Sequence, residues 1–331
     1  MRAQAPIVSV VIPARNAAST IDAALDSALH GQEVPLEVPL EVIVVDDGPA
    51  DGSGDDTASR VASRLPAEPR LRLLRTAGGT GASNARNLGI EAAAGAWIAP
   101  LDADDRFAPG RLGRLLALAR DHGADMVGDD MVLEPQGGTM PEASGRTAFA
   151  VGHPPHLGLV DAPGFVLNNM FHAERMGWGY MKPLMRRDLL VSTGLRYDPA
   201  VRIAEDYHLY LDLIGAGARF LYAHEPLYHY ALTPGSLSRS LGPRDLEVLA
   251  DRTRRDLGRA RAAGDGRLAD ALVQRLAGIE SLLLYDRFVG ALKGLRIPAA
   301  LGLGLRFPVL WPLILRYGRE SIGKRLAAVR A

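Results

Sequence analysis

The sequence predicts an α/β fold, with a mostly parallel central sheet carrying helices on both faces and a C-terminal helical region after it. Three observations predict it. Apolar, β-branched runs of strand length alternate with segments of helical period. The runs are apolar throughout rather than alternating, as in strands covered on both faces. Two of them end in acids, Asp46-Asp47 and Asp102-Ala103-Asp104-Asp105. Ligands of open α/β sheets gather at that carboxyl edge.

The first run is Ile7 to Pro13. A helix follows, with Ser19 as its expected cap and Ile21, Ala24, Leu25, Ala28 and Leu29 on one face; Gly31 closes it. Residues 34–41 repeat one short unit, Val-Pro-Leu-Glu, in tandem. Its two prolines keep it out of a central strand, so it reads as an insertion in a loop. Glu41 to Val45 is the second strand, and Thr57, Ala58, Val61, Ala62 and Leu65 mark the next helix face. Leu71 to Leu74 is a short third strand, and Ser83 to Ala94 a helix. Trp97 to Leu101 is the strand that delivers the acid cluster. Leu112, Leu115, Leu116 and Ala119 mark a helix, and Asp125 to Gly128 begins another strand. Right-handed crossovers place Asp46, Asp47 and the Asp102 cluster on one edge.

Residues 134–162 are rich in Gly, Pro and His and show no period, which reads as a long loop or lid. Glu205-Asp206 opens a helix that ends at Gly215-Ala216-Gly217. Phe220 to Tyr222 and Leu227 to Tyr230 read as two closing strands, followed by a polar loop to Arg239.

At 331 residues and about 150 per domain, roughly two domains are expected. The character changes near Pro243, which suggests domains at 1–240 and 241–331. Leu246 to Ala262 and Leu268 to Phe288 are helical in pattern. Ile297 to Leu315 is apolar but broken by Arg306 and three prolines, so it is a poor spanning helix. Basic residues flank it, including Lys293, Arg296, Arg316, Arg319, Lys324, Arg325 and Arg330, against the single acid Glu320. Such a segment suits an anionic membrane surface. It equally suits a helix pair packed on the catalytic domain, and both readings stay open here.

Composition excludes several function classes. Lys+Arg and Asp+Glu both number 38, which gives no sign of a nucleic-acid partner. There are no cysteines, so disulfides, thiolate metal sites and Cys nucleophiles are absent. No signal peptide is visible in the first residues. The expected location is cytoplasmic, extending to the inner face of the plasma membrane if the basic tail binds lipid.

The chemistry begins with the acid cluster. Three carboxylates within four residues repel one another, and a cation relieves that repulsion. Hard oxygen ligands suit Mg²⁺ or Mn²⁺, which keep positions open for phosphate oxygens. A polar turn capping the next helix would look similar. Glu205-Asp206 has its own bland reading, as acids favoured at a helix N-terminus by the dipole.

The order Asp46-Asp47-Gly48, Ser83-x-x-Arg86-Asn87, Asp102-Ala103-Asp104-Asp105, Glu205-Asp206 resembles family 2 inverting glycosyltransferases of the GT-A fold, over roughly Val8 to Arg239. The resemblance implies a nucleotide-sugar donor, of UDP type, and a divalent cation. It implies a nucleotide-sugar half at about 1–130 and an acceptor half at about 131–240. Pro13, Ala14, Asn16, Asp46, Asp47, Arg86, Asp102 and Asp104 fall on donor-binding positions. Asp104 and Asp105 fall on the metal-binding positions, with Asp102 as a further ligand or ribose contact. Arg86 could instead pair with Asp46 or Asp104. Asp206 matches the catalytic base, with Glu205 beside it.

The run at 177–183, Gly-Trp-Gly-Tyr-Met-Lys-Pro, resembles one in relatives that build bacterial exopolysaccharide. Trp178, Tyr180, Lys182 and Arg186 are the expected acceptor wall, with Glu205 also on the acceptor side, facing a glycan or lipid-linked glycan. Aromatic faces suit sugar rings and cations suit a lipid-linked diphosphate. The same aromatics could be core. Two departures stand out. Thr233 occupies the place of a usual His or basic residue, with His229 as a substitute. Gly48-Pro49-Ala50 replaces the usual Gly-Ser-Thr.

Rival classes fit less well. A nicotinamide dehydrogenase would need G-x-G-x-x-G after the first strand; Gly79-Thr80-Gly81 lacks the third glycine and stands elsewhere. A sugar nucleotidyltransferase would need a Gly-rich loop where Pro13-Ala14-Arg15-Asn16 stands. A non-catalytic nucleotide-sugar-binding or membrane-associated assembly protein is the remaining alternative, separated by donor turnover.

Overall fold

The computed structural model describes residues 7–32, 40–49, 54–135, 145–149, 157–170, 176–232 and 241–315. The tandem repeat (apart from its last two residues), the polar loop with Thr233, most of the expected lid and the basic tail beyond Leu315 lie outside them. The described chain forms two compact units: one within residues 1–240, the other of 241–315 together with Met170.

The first unit is built on a mixed sheet. Its parallel half runs β3 (Leu71–Arg75), β2 (Leu40–Asp46), β1 (Val8–Ala14), β4 (Trp97–Pro100). Val8 pairs with Leu40 on one side and Trp97 on the other, so β1 is central. Val8, Val10, Val11 and Ile12 are fully buried or nearly so, as are Val42, Ile43, Val44 and Val45. Full burial of such a side chain contributes about 1.5–3 kcal/mol, which is why these runs carry no alternation. Helix α1 (Ile21–Leu29) buries the five residues the periodicity selects. Thr20, not Ser19, stands at its N-cap, without a side-chain cap bond.

Helix α2 (Thr57–Arg64) joins β2 to β3, and α3 (Ala82–Ala92) joins β3 to β4. Helix α3 lies close on β1: a Cβ at Gly89 would sit 2.4 Å from Val11 Cγ1. Only glycine permits that approach, and it fixes where Arg86, one turn earlier, points.

Beyond β4 the sheet continues through β8 (Leu184–Arg186) and β6 (Met126–Pro135), each antiparallel to its predecessor. Strand β6 then runs parallel to β9 (Phe220–Leu232). The short β5 (Arg106–Phe107) and β7 (Gly158–Val160) both pair antiparallel with β9. The two expected closing strands are therefore one strand of 13 residues. Its register against β6 jumps from Asp129–Ala223 to Asp130–Pro226, so His224 and Glu225 form a bulge. Pro226 lacks an N–H for the ladder, and the bulge absorbs it. Helix α4 (Arg111–His122) leads into β6, α5 (Ala162–Leu167) and α6 (Arg187–Thr193) follow, and α7 (Glu205–Gly215) precedes β9.

The second unit is helical: α8 (Pro243–Ala262), α9 (Gly266–Lys293) and α10 (Ile297–Arg306). Asp265 caps α9 by accepting from Leu268 N at 2.9 Å. Among the described residues, no helix is long and apolar enough to cross a membrane.

Candidate active site

The carboxyl ends of β2 and β4 and the first turn of α7 carry the acids that the motifs single out, with Pro13, Ala14 and Asn16 at the end of β1 beside them. They do different things there.

Asp46 ends β2 half-buried, accepting from Gly48 N at 3.1 Å and lying 3.7 Å from Arg75. Asp47 is turned inward. Its Oδ1 accepts from the Thr76 hydroxyl, from Thr80 N at 2.8 Å and from Thr80 Oγ1 at 2.7 Å; its Oδ2 accepts from Gly81 N at 2.8 Å. Burial alone would raise its pKa, but these hydrogen bonds outweigh burial and hold it below the usual carboxylate range. Asp47 thus clamps the glycine loop 78–81 with the oxygens expected to meet a nucleotide. Pro13 is half-buried, Ala14 is buried, and Asn16 is exposed at φ 52°, a left-handed conformation that Asn tolerates.

The 102–105 cluster is divided by the structure. Asp105 is buried: its Oδ2 accepts from the Tyr228 hydroxyl at 2.6 Å and its Oδ1 from Ala231 N at 2.8 Å. Burial, with Asp102 and Asp104 nearby, pushes its pKa well up. Asp102 binds Arg86 Nη2 through Oδ1 at 2.8 Å and Lys182 Nζ through Oδ2 at 3.1 Å. Asp104 alone is exposed. The three acids expected as one ligand set therefore do not converge, and among the described residues no three His, Asp or Glu side chains form a metal-holding group. Both Asp105 oxygens are spent inside the fold. Asp104 still fits a divalent cation, since Mg²⁺ is often held by one or two carboxylates plus substrate phosphates.

Arg86 pairs with neither Asp46 nor Asp104. Buried on α3, it binds Asp102 and, through Nη1, Glu205 Oε1 at 2.7 Å, with Asp206 Oδ1 at 3.9 Å. Its neighbour Asn87 is held to the Tyr197 backbone by two hydrogen bonds, of 2.8 and 3.0 Å. That fastens α3 to the segment leading into α7. Ala204, immediately before the acids, has φ 63°. An alanine in that region carries about 1–2 kcal/mol of strain, located where Glu205 and Asp206 enter the site.

Lys182, expected on the acceptor wall, is buried, and its Nζ lies 2.6 Å from Asp206 Oδ2 as well as 3.1 Å from Asp102 Oδ2. Burial would favour the neutral amine, but the two carboxylates outweigh it and hold the ammonium charged. They do so with Arg86 against them. Asp102 in turn is held below the ordinary range, against burial, by Lys182 and Arg86. Glu205 is shifted up instead, by burial and by Asp206, despite Arg86. Tyr210 adds a long hydroxyl contact to Asp206 Oδ1 at 3.4 Å.

Trp178 is also core rather than wall: it is buried with its ring 5.3 Å from that of Tyr222. Tyr180 remains half-buried, edge-on to Tyr230. His229 Nδ1 lies 2.7 Å from Glu134, which also meets Arg106. Sequence reasoning missed Arg111 and Tyr228, and gave Asn87, named beside Arg86 in its motif, no role of its own. Arg111 is fully buried, bonds Asp129 twice at 2.8 and 2.6 Å, and donates to the Lys182 carbonyl at 2.6 Å. Its position at the first turn of a helix carries no signal of that partner.

A parallel half-sheet with acids at its carboxyl edge, continued by a mixed half, defines a GT-A glycosyltransferase fold. Solved structures share it. TarS 1–349 of S. aureus, in complex with UDP-GlcNAc, superposes with a TM-score of 0.62 at 20% identity, covering 82% of this chain and 72% of that one. The mannosyltransferase PcManGT of Pyrobaculum calidifontis, with GDP-Man and Mn²⁺, gives 0.56 at 21%, covering 96% and 81%.

The profile described as glycosyl transferase family 2 matches residues 9–156. Succinoglycan biosynthesis protein ExoO of Rhizobium meliloti is 33% identical over 266 residues, 80% of this chain and 73% of that protein. ExoU of the same organism is 38% identical over 211 residues, 62% and 58% of the two chains. This chain belongs to glycosyltransferase family 2.

Proposed function

We propose that this glycosyltransferase moves a sugar from a UDP-sugar, with a divalent cation and with inversion, to a hydroxyl of a glycan or lipid-linked glycan. The setting would be polysaccharide or glycolipid synthesis at the inner face of the plasma membrane. One observation carries the reading: Asp206, from the first turn of α7, is joined through a single ammonium to Asp102 at the end of β4. Acids from two distant stretches thus share one edge of the sheet, one on the donor side and one suited to face it. The relatives named for succinoglycan biosynthesis support the substrate class. The nucleotide-sugar and Mn²⁺ complexes of the fold neighbours support the donor and the cation.

The chemistry follows from the residues. An acceptor hydroxyl oxygen attacks the anomeric carbon. The bond from that carbon to the diphosphate oxygen breaks, and its electron pair leaves with the nucleoside diphosphate. The hydroxyl proton passes to Asp206. A carboxylate is too weak to ionise a free alcohol, but it can take the proton as attack proceeds and the hydroxyl turns acidic. Oδ2 of Asp206 is engaged by Lys182, whereas among the described residues Oδ1 meets the Tyr210 hydroxyl at a long 3.4 Å and Arg86 at 3.9 Å, so Oδ1 is the receiving atom. Asp104 would hold the cation, which neutralises charge on the departing diphosphate. Tyr180 stays on the acceptor side, and Pro13, Ala14, Asn16 and Asp46 border the nucleotide.

The test is a screen of nucleotide sugars for Mn²⁺-stimulated transfer or hydrolysis. Turnover lost in Asp206→Asn with UDP binding retained supports an enzyme. UDP-sugar binding with no turnover on any acceptor would favour a non-catalytic binding protein.

A further inference from the structure

Eight of the thirteen exposed large hydrophobic side chains among the described residues lie between Leu292 and Leu315. They are not scattered. In α10 the usual arrangement is inverted: the small residues Ala300 and Gly304 are buried, while Leu301 and Leu305 are 62% and 81% exposed. Both pairs have i, i+4 spacing, so each marks one face. Helix α10 packs on α9, with Gly304 beside Trp311 (a Cβ there would lie 3.8 Å from Cζ2), and turns a stripe of Ile297, Leu301 and Leu305 outward. Leu295, 83% exposed, precedes the stripe and Trp311 follows it. A helix stabilised only by its own unit would bury the leucines and expose the small residues.

The charge around this face says what covers it. From Arg287 to Leu315 the chain has four basic residues, Arg287, Lys293, Arg296 and Arg306, and no acid. All four are exposed. A second copy docked through the same patch about a two-fold axis would bring these cations against their own kind. An anionic lipid surface offers hydrocarbon to the leucines and headgroup charge to the collar. We infer that the outward face of α10, with Leu295 and Trp311, is a docking surface for anionic membrane, lying in the interface rather than crossing it.

This inference stands apart from the catalytic reading, since binding is measured without donor, acceptor or metal. The full chain is sedimented with phosphatidylcholine vesicles and with vesicles containing phosphatidylglycerol. Wild type should bind the anionic vesicles roughly a hundredfold more tightly than the neutral ones, and rising salt should remove most of that difference. Leu301→Glu with Leu305→Glu should weaken binding by about tenfold or more, because both leave the hydrocarbon. Circular dichroism checks its helix content. Arg296→Glu with Arg306→Glu keeps the apolar stripe and should lose the preference for anionic lipid, which decides the matter if the leucine variant misfolds. Wild type left in the supernatant would overturn the inference. So would a wild-type dimer, dispersed by the leucine variant, that ignores vesicles.

Discussion

Lys182 Nζ lies 2.6 Å from Asp206 Oδ2 and 3.1 Å from Asp102 Oδ2, so one buried cation ties the proposed base to the strand that brings the donor-side acids. Among the described residues, Lys182 engages Oδ2 of Asp206 closely, while Oδ1 has the longer Tyr210 and Arg86 contacts. Lys182→Met keeps the length of the side chain and removes the charge. We expect kcat to fall by about a hundredfold, as losses of a group that orients a reacting residue do. UDP affinity should change only a few-fold. Steady-state kinetics and calorimetry with UDP read the two separately, and a rise in acceptor KM with kcat unchanged would return Lys182 to the acceptor-binding role expected from sequence.

Asp104 and Asp105 should part company on mutation. Asp104→Ala removes the exposed carboxylate and is expected to abolish Mn²⁺-dependent UDP binding. Asp105→Asn keeps an acceptor for Ala231 N and should retain that dependence. Calorimetry with and without Mn²⁺ checks both, and the opposite pattern would restore Asp105 as the ligand.

Asp47 should act through stability. Its folded pKa is lowered, so its contribution is fully present above the unfolded value of about 3.9. That contribution is lost as pH falls below this value through the folded one. Asp47→Asn should cost about 1–3 kcal/mol at neutral pH, from buried donors left poorly paired. The gap between wild type and variant should close below about pH 4. Urea unfolding across pH measures it, and a gap that stays constant would contradict the clamp.

Arg111 and Asp129 form a buried pair with side chains essentially inaccessible to solvent. Arg111→Leu leaves the carboxylate uncompensated and removes the anchor on the Lys182 carbonyl. A loss of about 3–5 kcal/mol is expected on breaking such a pair, read by thermal or urea unfolding. Asp129→Asn in the same background should recover part of it, because the stranded charge is gone.

Sequence alone determined the parallel strands, their helices and the edge they share. Those features rest on local periodicity and on apolar runs, which neighbours in the chain express directly. Val10, Val44 and Ile98 are buried because their runs admit no other face. The acids at 46–47, 102–105 and 205–206 were legible for the same reason: each directly follows an apolar run or opens a helix. Tertiary structure alone decided which of those acids point outward. Asp47 and Asp105 are claimed by Thr80 and Tyr228, 33 and 123 residues away. Lys182 turns inward because Asp102 and Asp206 converge on it from elements that no local pattern connects. A side chain's partner is set by long-range packing and by the cost of burying a charge alone, and neither is written in spacing along the chain.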